Sequence, residues 1–469
     1  MEIIHLSAEC YPIAKAGGLG DVVGALPKYQ NKAGHTAKVI MPMYKTKFLY
    51  ENVFDVDAKG RANLGSWNFE YTIIKERTNK LGFDLYLVDI NGLLDREKVY
   101  GYDDDTSRFL AFQIAALHWM NQWNHNPDIV HCHDHHTGLV PFMMQHCYQF
   151  KNKLSSVKTI FTIHNAQYQG WMGWNQSNLI PEWDLWKYGM LDWQDAINPL
   201  ASAVKNAWKV TTVSQSYCNE LRHNSNGLEA LFEYEKGKCI GILNGIDNDV
   251  WNPKTDAYLQ HHFTVKTVTK GKESNKKQLC NQFGLNSEVP LFVFIGRLVG
   301  EKAADIFPGF IQAIMHTHYG QASFLFLGSG DPSVENQLKA FNGQFENFYY
   351  AEIGYNESLS HLMYAGADFL LMPSRVEPCG LNQLYALRYG TIPIVRSTGG
   401  LQDTVVDMGD FEGFGIRFNY ATVQDLHYST TRALDIFKND KQIAWMRKFM
   451  MAINHSWENT VEAYDGVYN

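Results

Sequence analysis

The 469-residue chain is too long for one ordinary hydrophobic core, so two domains of roughly 200 residues or more are expected. With 45% hydrophobic and 19% charged residues it reads as globular, which excludes a disordered chain. A net charge of −8 disfavours nucleic acid as a partner, because that needs a basic footprint, yet leaves room for a small phosphorylated ligand held by a few local cations.

The N-terminus, MEIIHLSAECYP, lacks a basic segment followed by a long apolar run, so no secretory signal is expected. No apolar run is long enough to span a bilayer. A cytoplasmic chain without a membrane partner is therefore expected. The seven cysteines are scattered and odd in number, which fits reduced thiols better than a disulfide framework.

Short apolar runs, each followed by a Gly-rich or polar turn and then a helical pattern, predict alternating strands and helices. In chain order they are EIIHLSAE, AKVIMPM, PDIVHCHD, TIFTIHN and KVTTVSQS, then PLFVFIGRL, SFLFLGSGD, DFLLMPSRVEP and IPIVRSTGG. Open parallel α/β sheets bind ligands at the carboxyl ends of their strands, where these turns fall. The charged stretch TVTKGKESNKKQLCNQFG interrupts the pattern. The expected organisation is a first Rossmann-like lobe over 1–247, a linker and leading helix over 248–288, and a second Rossmann-like lobe over 289–452. A last helix over 453–469 is expected to cross back to the first lobe. A cleft between the lobes is expected.

Directly after the first strand comes KAGGLGDVVGALP, residues 15–27. Gly17, Gly18 and Gly20 let backbone approach a ligand, and a helix expected to start near Asp21 favours anions at its N-terminus. The dinucleotide pattern G-x-G-x-x-G fails, because Val23 stands where the third glycine is needed. A plain strand-to-helix turn is the competing reading; Lys15 favours phosphate or sugar. Asp103–Asp105 and Asp247–Asp249 imitate an acidic metal clamp, but Asp and Asn equally favour turns.

The stretch IVHCHDHHTGLVPF places His131, His133, His135 and His136 within six positions, with Asp134 among them. A dinuclear hydrolase motif would read H-x-H-x-D-H, and here Asp134 comes one place early. His131 and His133 share a strand face while Asp134 points away, so packing is favoured for those two. A zinc-dependent hydrolase built on His131–His136 remains the reading from a different class. The segment 167–195 gathers Tyr168, Trp171, Trp174, Trp183, Trp186, Tyr188 and Trp193. These rings suit sugar stacking, but packing is expected for most of them.

In GRLVGEKAADIF, Arg297 and Lys302 stand at a helix entrance, where they are either a solvated pair or a grip for a diphosphate. The run SRVEPCGLNQLYALRYGTIPIVRSTGGLQDTV brings Glu377 and two further helix starts into one switch region.

Together KAGGLGDVVGALP, HCHDHHTGL, FTIHNAQYQG, GILNGID, GRLVGEK, IGYNE, MPSRVEPCGLNQLYALRYGTIPIV and STGGLQDTV resemble, in order and over nearly the whole chain, the bacterial and plant glycogen and starch synthases, glycosyltransferase family 5. The resemblance implies a GT-B fold with two Rossmann-like lobes facing a deep interdomain cleft. It also implies retaining transfer of glucose from ADP-glucose to the non-reducing end of an α-1,4-glucan such as glycogen, without a metal or other cofactor. UDP-glucose, or a phosphorylase-like GT-B activity, is the neighbouring reading, and a non-catalytic glucan-binding protein a further one.

Residue by residue, the resemblance places Lys15 and Gly18 at the donor phosphates and Asp21 near the nucleoside. His136 faces the transferred glucose, and Asn244 belongs to the donor side. Arg297 and Lys302 hold the diphosphate, and Tyr355 stacks on the base. Glu377, Cys379, Gly380, Thr398, Gly399, Gly400 and Leu401 surround sugar and phosphates, while His164, Asn165 and Tyr168 lie on the acceptor side. His136, Glu377, Arg297 and Lys302 are the expected catalytic set. The chain departs from the pattern at His135 (often Trp), Ala303 (usually Gly), Asn382 (often Thr) and Tyr385, which takes the place of a second Glu. Negative charge grows on the leaving diphosphate, so Arg297, Lys302, Lys15 and the helix near Gly400 are expected to supply most of the rate. Glu377 either holds sugar hydroxyls, the favoured role, or acts as nucleophile.

Overall fold

The computed structural model describes residues 1–469. The chain divides into two compact units, one of Met1–Leu243 with Trp457–Asn469, the other of Asn244–Ser456. The first contains β1 (Glu2–Leu6), β2 (Thr36–Pro42), β3 (Phe54–Leu64), β4 (Trp67–Glu76), β5 (Asp84–Asp89), β6 (Ile129–His133) and β7 (Lys158–Ile163). The two-residue β8 (Asp192–Trp193) and β9 (Ala196–Ile197) form a small ribbon, and β10 (Lys209–Thr212) and β11 (Cys239–Gly241) complete this unit. The nine-stranded sheet runs β11-β10-β7-β6-β1-β2-β5-β4-β3. It is parallel from β11 through β5. The antiparallel hairpin β3–β4 extends one edge. Its alternating exposed and buried residues are those of a strand wetted on one face. The sequence reading missed this hairpin because it carries no apolar run.

The parallel strands are largely buried on both faces, and helices cover them. The helix Gly18–Lys32 turns Val22, Leu26 and Tyr29 onto Ile3, Ala37 and Ile129. The last helix, Trp457–Tyr468, packs into the same cluster through Trp457, Val461, Tyr464 and Tyr468. No helix is long and apolar enough to cross a membrane, and all seven cysteines are free.

The second unit holds β12 (Leu291–Ile295), β13 (Ser323–Gly328), β14 (Tyr349–Ile353), β15 (Phe369–Met372), β16 (Ile392–Arg396) and β17 (Ile416–Phe418), in the order β14-β13-β12-β15-β16-β17. Every pairing is parallel. Residues 248–288, expected as a linker, instead belong to this unit. Their Lys-rich stretch forms the helix Val268–Phe283, and two of its lysines are buried. Lys272 donates to the carbonyls of Tyr364, Ala365 and Tyr389 and to the Thr391 hydroxyl. Lys276 pairs at 2.7 Å with buried Asp368, which also pairs with Arg447. Charge in the sequence suggested a solvated segment; here it holds helices to the sheet, because Lys272 has four acceptors and Lys276 a buried carboxylate partner.

Candidate active site

In the first unit, Lys15 lies in the turn after β1 and pairs with Asp21 at 2.7 Å. The helix starts at Gly18, three residues before the expected Asp21, with Gly17 as its cap. The carboxylate of buried Glu9 accepts hydrogen bonds from the amides of Ala16 and Gly17 at 2.6 and 2.9 Å, and Tyr100 donates to its other oxygen at 2.7 Å. The anion at this helix entrance is therefore the chain's own. A Cβ at Gly20 or Gly24 would press on Lys15 or Tyr11, whereas at Gly17 or Gly18 it would meet nothing within 4 Å. Packing thus accounts for Gly20 and Gly24, while Gly18 offers bare backbone to an approaching ligand.

The histidine cluster separates into two groups. His131 and His133, at the end of β6, are fully buried and pack with His5 of β1. Spacing that could suit a metal ion is present there, since ligand atoms of His5, His131 and His133 lie within 4.8 Å of one another. Both ring nitrogens of His131 and of His133, however, are already engaged in hydrogen bonds. His135 and His136 occupy the following turn and contact each other, and His136 stacks on Tyr100 at 4.6 Å with Phe109 edge-on. Burial drives the His136 imidazole well below its ordinary value, and its Nδ1 is buried without a partner. A neutral ring with an open nitrogen is thus held rigidly between aromatic faces. The four histidines do not converge on one metal position, which leaves the hydrolase reading without a ligand set.

Asp134 adopts a left-handed backbone (φ 57°), uncommon for a residue with a side chain. Its carboxylate accepts from the amides of His164, at 2.7 Å, and Asn165. Burial pushes it up to about 7 against the pull of those amides. Asp134 so anchors the loop after β7. In that loop His164 is buried, Asn165 accepts from the Gln167 amide at 3.0 Å, and Tyr168 is exposed. Of the aromatic crowd, Trp174 and Trp193 donate to Asp192 and to the Gly227 carbonyl, and Trp183 packs on Phe142. Tyr168, Trp171, Trp186 and Tyr188 are exposed, more than the expected packing allowed.

In the second unit, the turn after β12 and the loop after β15 are tied together. The amides of Arg375 and Val376 donate to the Glu301 carbonyl, and Arg375 forms a fork with Asp305. This brings Lys302 onto the buried Glu377, whose Oε2 also accepts from Ser374 at 2.9 Å. Oε1 remains open. Arg297 is exposed and has only a 3.3 Å contact with Glu301. Ala303 takes a left-handed φ of 54°, the conformation that the family's usual glycine adopts at no steric cost. Asn382 donates to the Ile295 carbonyl at 2.6 Å, binding the helix Asn382–Arg388 to the end of β12. Tyr385 stacks on Trp251 at 3.7 Å, an aromatic support rather than a substitute for a carboxylate.

The glycine pair explains its own composition. A Cβ on Gly399 would lie 2.1 Å from the Glu377 carbonyl oxygen, and one on Gly400 1.9 Å from that of Cys379. The two loops touch backbone to backbone. Gly380, at φ +74°, makes the turn between Cys379 and the helix. One expectation changes here. The Gly400 amide donates to the carbonyls of Glu377 and Pro378 and the Leu401 amide to Thr398, so the helix Gly399–Thr404 does not present those two amides to a phosphate. The Leu401 side chain is fully buried in the core, and Thr398, its cap position, is buried as well. The Cys379 thiol is pushed up to about 12 by burial, which leaves it un-ionised. Asn244 carries a buried side-chain oxygen without a partner. Tyr355, after β14, is exposed, and its hydroxyl donates to Glu357 at 3.0 Å.

Both acidic runs are turn chemistry. Asp104 pairs with Arg96, Asp105 with Arg108, and Asp247 accepts from the Asp249 amide at 2.9 Å. Sequence reasoning missed Glu9, Tyr100, Asp134 as an anchor, and Ser374. Glu9 left one trace, a carboxylate just beyond the first strand and before the glycine run.

The model of the starch synthase catalytic domain matches residues 2–234, and that of group 1 glycosyl transferases matches 275–437. A curated glycogen synthase from Flavobacterium johnsoniae is 50% identical over 469 residues, covering 100% of this chain and 99% of that protein. One from Finegoldia magna is 36% identical, with 100% and 99% covered. Among solved structures, the catalytic domain of starch synthase IV from Arabidopsis thaliana, bound to ADP and acarbose, matches with a TM-score of 0.88 at 32% identity, covering 100% of this chain and 98% of that one. A sucrose-phosphate synthase from Thermosynechococcus elongatus, 16% identical with a TM-score of 0.64 and the same coverage, shares the fold. Two parallel α/β units, the placed loops and these full-length matches together show that the chain belongs to the glycogen and starch synthase family of glucosyltransferases.

Proposed function

We propose that the chain elongates an α-1,4-glucan by retaining transfer of glucose from ADP-glucose to its non-reducing end, releasing ADP. The observation that carries the reading is the Lys302–Glu377–Ser374 cluster at the strand ends of the second unit, with the exposed Arg297 guanidinium on the same turn as Lys302. Breaking the bond between C1 and the β-phosphate oxygen puts negative charge on the leaving group. Arg297 and Lys302 are assigned to that charge, with Lys15 and the bare backbone at Gly18 as further phosphate contacts. Tyr355 is assigned to the base, and Asp21 to the nucleoside side. This leaving-group arrangement needs no metal.

Glu377 is assigned to the glucose hydroxyls through its open Oε1. An ion-paired carboxylate with one oxygen already hydrogen-bonded is a poor nucleophile, so the reading routes the acceptor's proton to the leaving phosphate. His136 offers its neutral ring, and Asn244 its unpartnered oxygen, to the same sugar. Cys379, Gly380, Thr398, Gly399, Gly400 and Leu401 shape the backbone wall beside it. His164, Asn165 and the exposed Tyr168 are assigned to the glucan. A cytoplasmic site of action goes with this reading. ADP-glucose is favoured over UDP-glucose, in keeping with the ADP in the related starch synthase.

Incubation with ADP-glucose or UDP-glucose and glycogen, with and without EDTA, tests it. The expected result is EDTA-insensitive glucan elongation, faster with ADP-glucose. EDTA-sensitive hydrolysis, or glucan binding with no turnover, would overturn it.

A further inference from the structure

A hydrogen-bonded chain of buried side chains runs through the first unit and ends at His164. It is centred on Gln30, which is fully buried on the helix Gly18–Lys32. The Gln30 amide oxygen lies 2.7 Å from His5 Nε2, and its amide nitrogen donates to the Tyr468 hydroxyl at 2.8 Å. On one side, His5 Nδ1 lies 3.0 Å from His133 Nε2, and His133 Nδ1 lies 3.0 Å from His164 Nε2. On the other side, Tyr468 lies 2.9 Å from His131 Nδ1, and His131 Nε2 lies 2.6 Å from the Thr162 hydroxyl. Thr162 lies 2.6 Å from Thr211.

With the Gln30 amide oxygen on His5 and its nitrogen on Tyr468, donor and acceptor counting orders the protons of the branch that leads to His164. An amide oxygen only accepts, so His5 must carry its proton on Nε2. A neutral His5 then has a bare Nδ1, which accepts from His133 Nε2–H. His133 in turn has a bare Nδ1, which accepts from His164 Nε2–H. On the other branch the Gln30 amide fills one lone pair of the Tyr468 hydroxyl. The remaining lone pair and proton of that hydroxyl face His131 Nδ1, and His131 Nε2 faces the Thr162 hydroxyl. Burial holds His5 at about 4 and His164 at about 3, and drives His131 and His133 well below the ordinary value, so all four rings are neutral at pH 7. The remaining nitrogen, His164 Nδ1, has no hydrogen-bond partner within the chain.

We infer that Gln30 and Tyr468 are positioning residues for His164, holding it in the Nε2–H tautomer so that Nδ1 is presented as a hydrogen-bond acceptor for a hydroxyl of the glucan. The acceptor assignment rests on the function proposed above; the tautomer does not. A histidine whose second nitrogen is fixed by a neighbour has one defined hydrogen-bonding face, and here the neighbour is set by an amide on another element. Tyr468 is the last residue of the helix Trp457–Tyr468, so the end of that helix helps to define a group at the carboxyl end of β7.

The tautomer is read from long-range 1H–15N correlation spectra of the full-length protein labelled at histidine. At pH 7 the expected spectrum shows His5, His133 and His164 neutral with the proton on Nε2. His164 protonated on Nδ1, or on both nitrogens, would overturn the inference. In steady-state kinetics, Gln30→Met removes the ordering group, and kcat/KM for glucan is expected to fall about tenfold with the KM for the nucleotide sugar unchanged. Gln30→Glu puts a carboxylate on His5 Nε2 and removes the donor to Tyr468; it favours a doubly protonated His5 whose Nδ1–H would reverse the order, so no recovery is expected. Tyr468→Phe, a change of one hydroxyl near the chain end, is expected to give a smaller loss of the same kind. Equal changes in both KM values, or recovery of the loss with Gln30→Glu, would overturn the positioning role. If the wild type shows the expected tautomer but transfers no glucose, the proposed function fails and the tautomer stands.

Discussion

Glu377 has a charged partner, a neutral partner and one free oxygen. Lys302 and Ser374 share Oε2, and the backbone carbonyl of the same residue receives the Gly400 amide. Replacing the carboxylate by an amide of the same shape leaves Lys302 opposite a neutral group. For Glu377→Gln, turnover measured as ADP release in the presence of glycogen is expected to fall by about 10²–10³-fold, with circular dichroism unchanged. Near-normal turnover would remove both the hydroxyl-binding and the nucleophilic role. His136 is different, since its work is done by a neutral ring wedged between Tyr100 and Phe109. For His136→Ala, kcat is expected to drop about 10²-fold. A drop in KM alone would contradict contact with the transferred glucose.

At the scale of elements, the loops that carry the site are placed by cross-links the strands do not make. Gln383 donates to the carbonyls of Cys379 and Gly380 and to Thr404, stapling the loop after β15 to the helix Gly399–Thr404. The helix Val268–Phe283 is held against β12 by Lys276 and Asp368, the latter also accepting from the Leu291 amide at 2.9 Å. Lys276→Met removes one cation from a buried pair and is expected to lower stability by about 3 kcal/mol in urea unfolding of the second unit. A loss below about 1 kcal/mol would mean that Arg447 alone neutralises Asp368.

For the molecule as a whole, the buried histidines of the first unit set its response to acid. His5, His131, His133, His135, His136 and His164 are all held below their ordinary value by burial. An unfolded histidine protonates below about 6.5, while these stay neutral to about 4 for His5 and His135 and about 3 for His164. In that window the unfolded chain binds more protons, so stability falls as pH falls, by about 1.4 kcal/mol per unit for each such histidine. Asp134, raised to about 7, works in the opposite direction, its native form keeping a proton that the unfolded form loses. Six groups outweigh one. Thermal midpoints are expected to drop by at least about 3 °C per unit between pH 6.5 and 5. A midpoint unchanged over that range would contradict neutral burial of the cluster.

Much of this protein was legible before any coordinate. Nine strands were marked by apolar runs, and the motif order named the family, because such runs and glycine turns are local properties of the chain. The glycine pair at Gly399 and Gly400 was visible too, though its reason, two backbones in contact, was not. What escaped was set by neighbours distant in sequence. The lysines of 268–283 read as solvated until Asp368 and four acceptors surrounded them. The amide of Gly400, open on paper, was already bonded, and Leu401 faced the core. The histidine run carried the same six letters whether it bound zinc, packed, or passed hydrogen bonds to the chain end. Only the tertiary structure divided it, because a ring nitrogen's role is decided by whatever lies three ångströms away, and that partner can be hundreds of residues off along the chain.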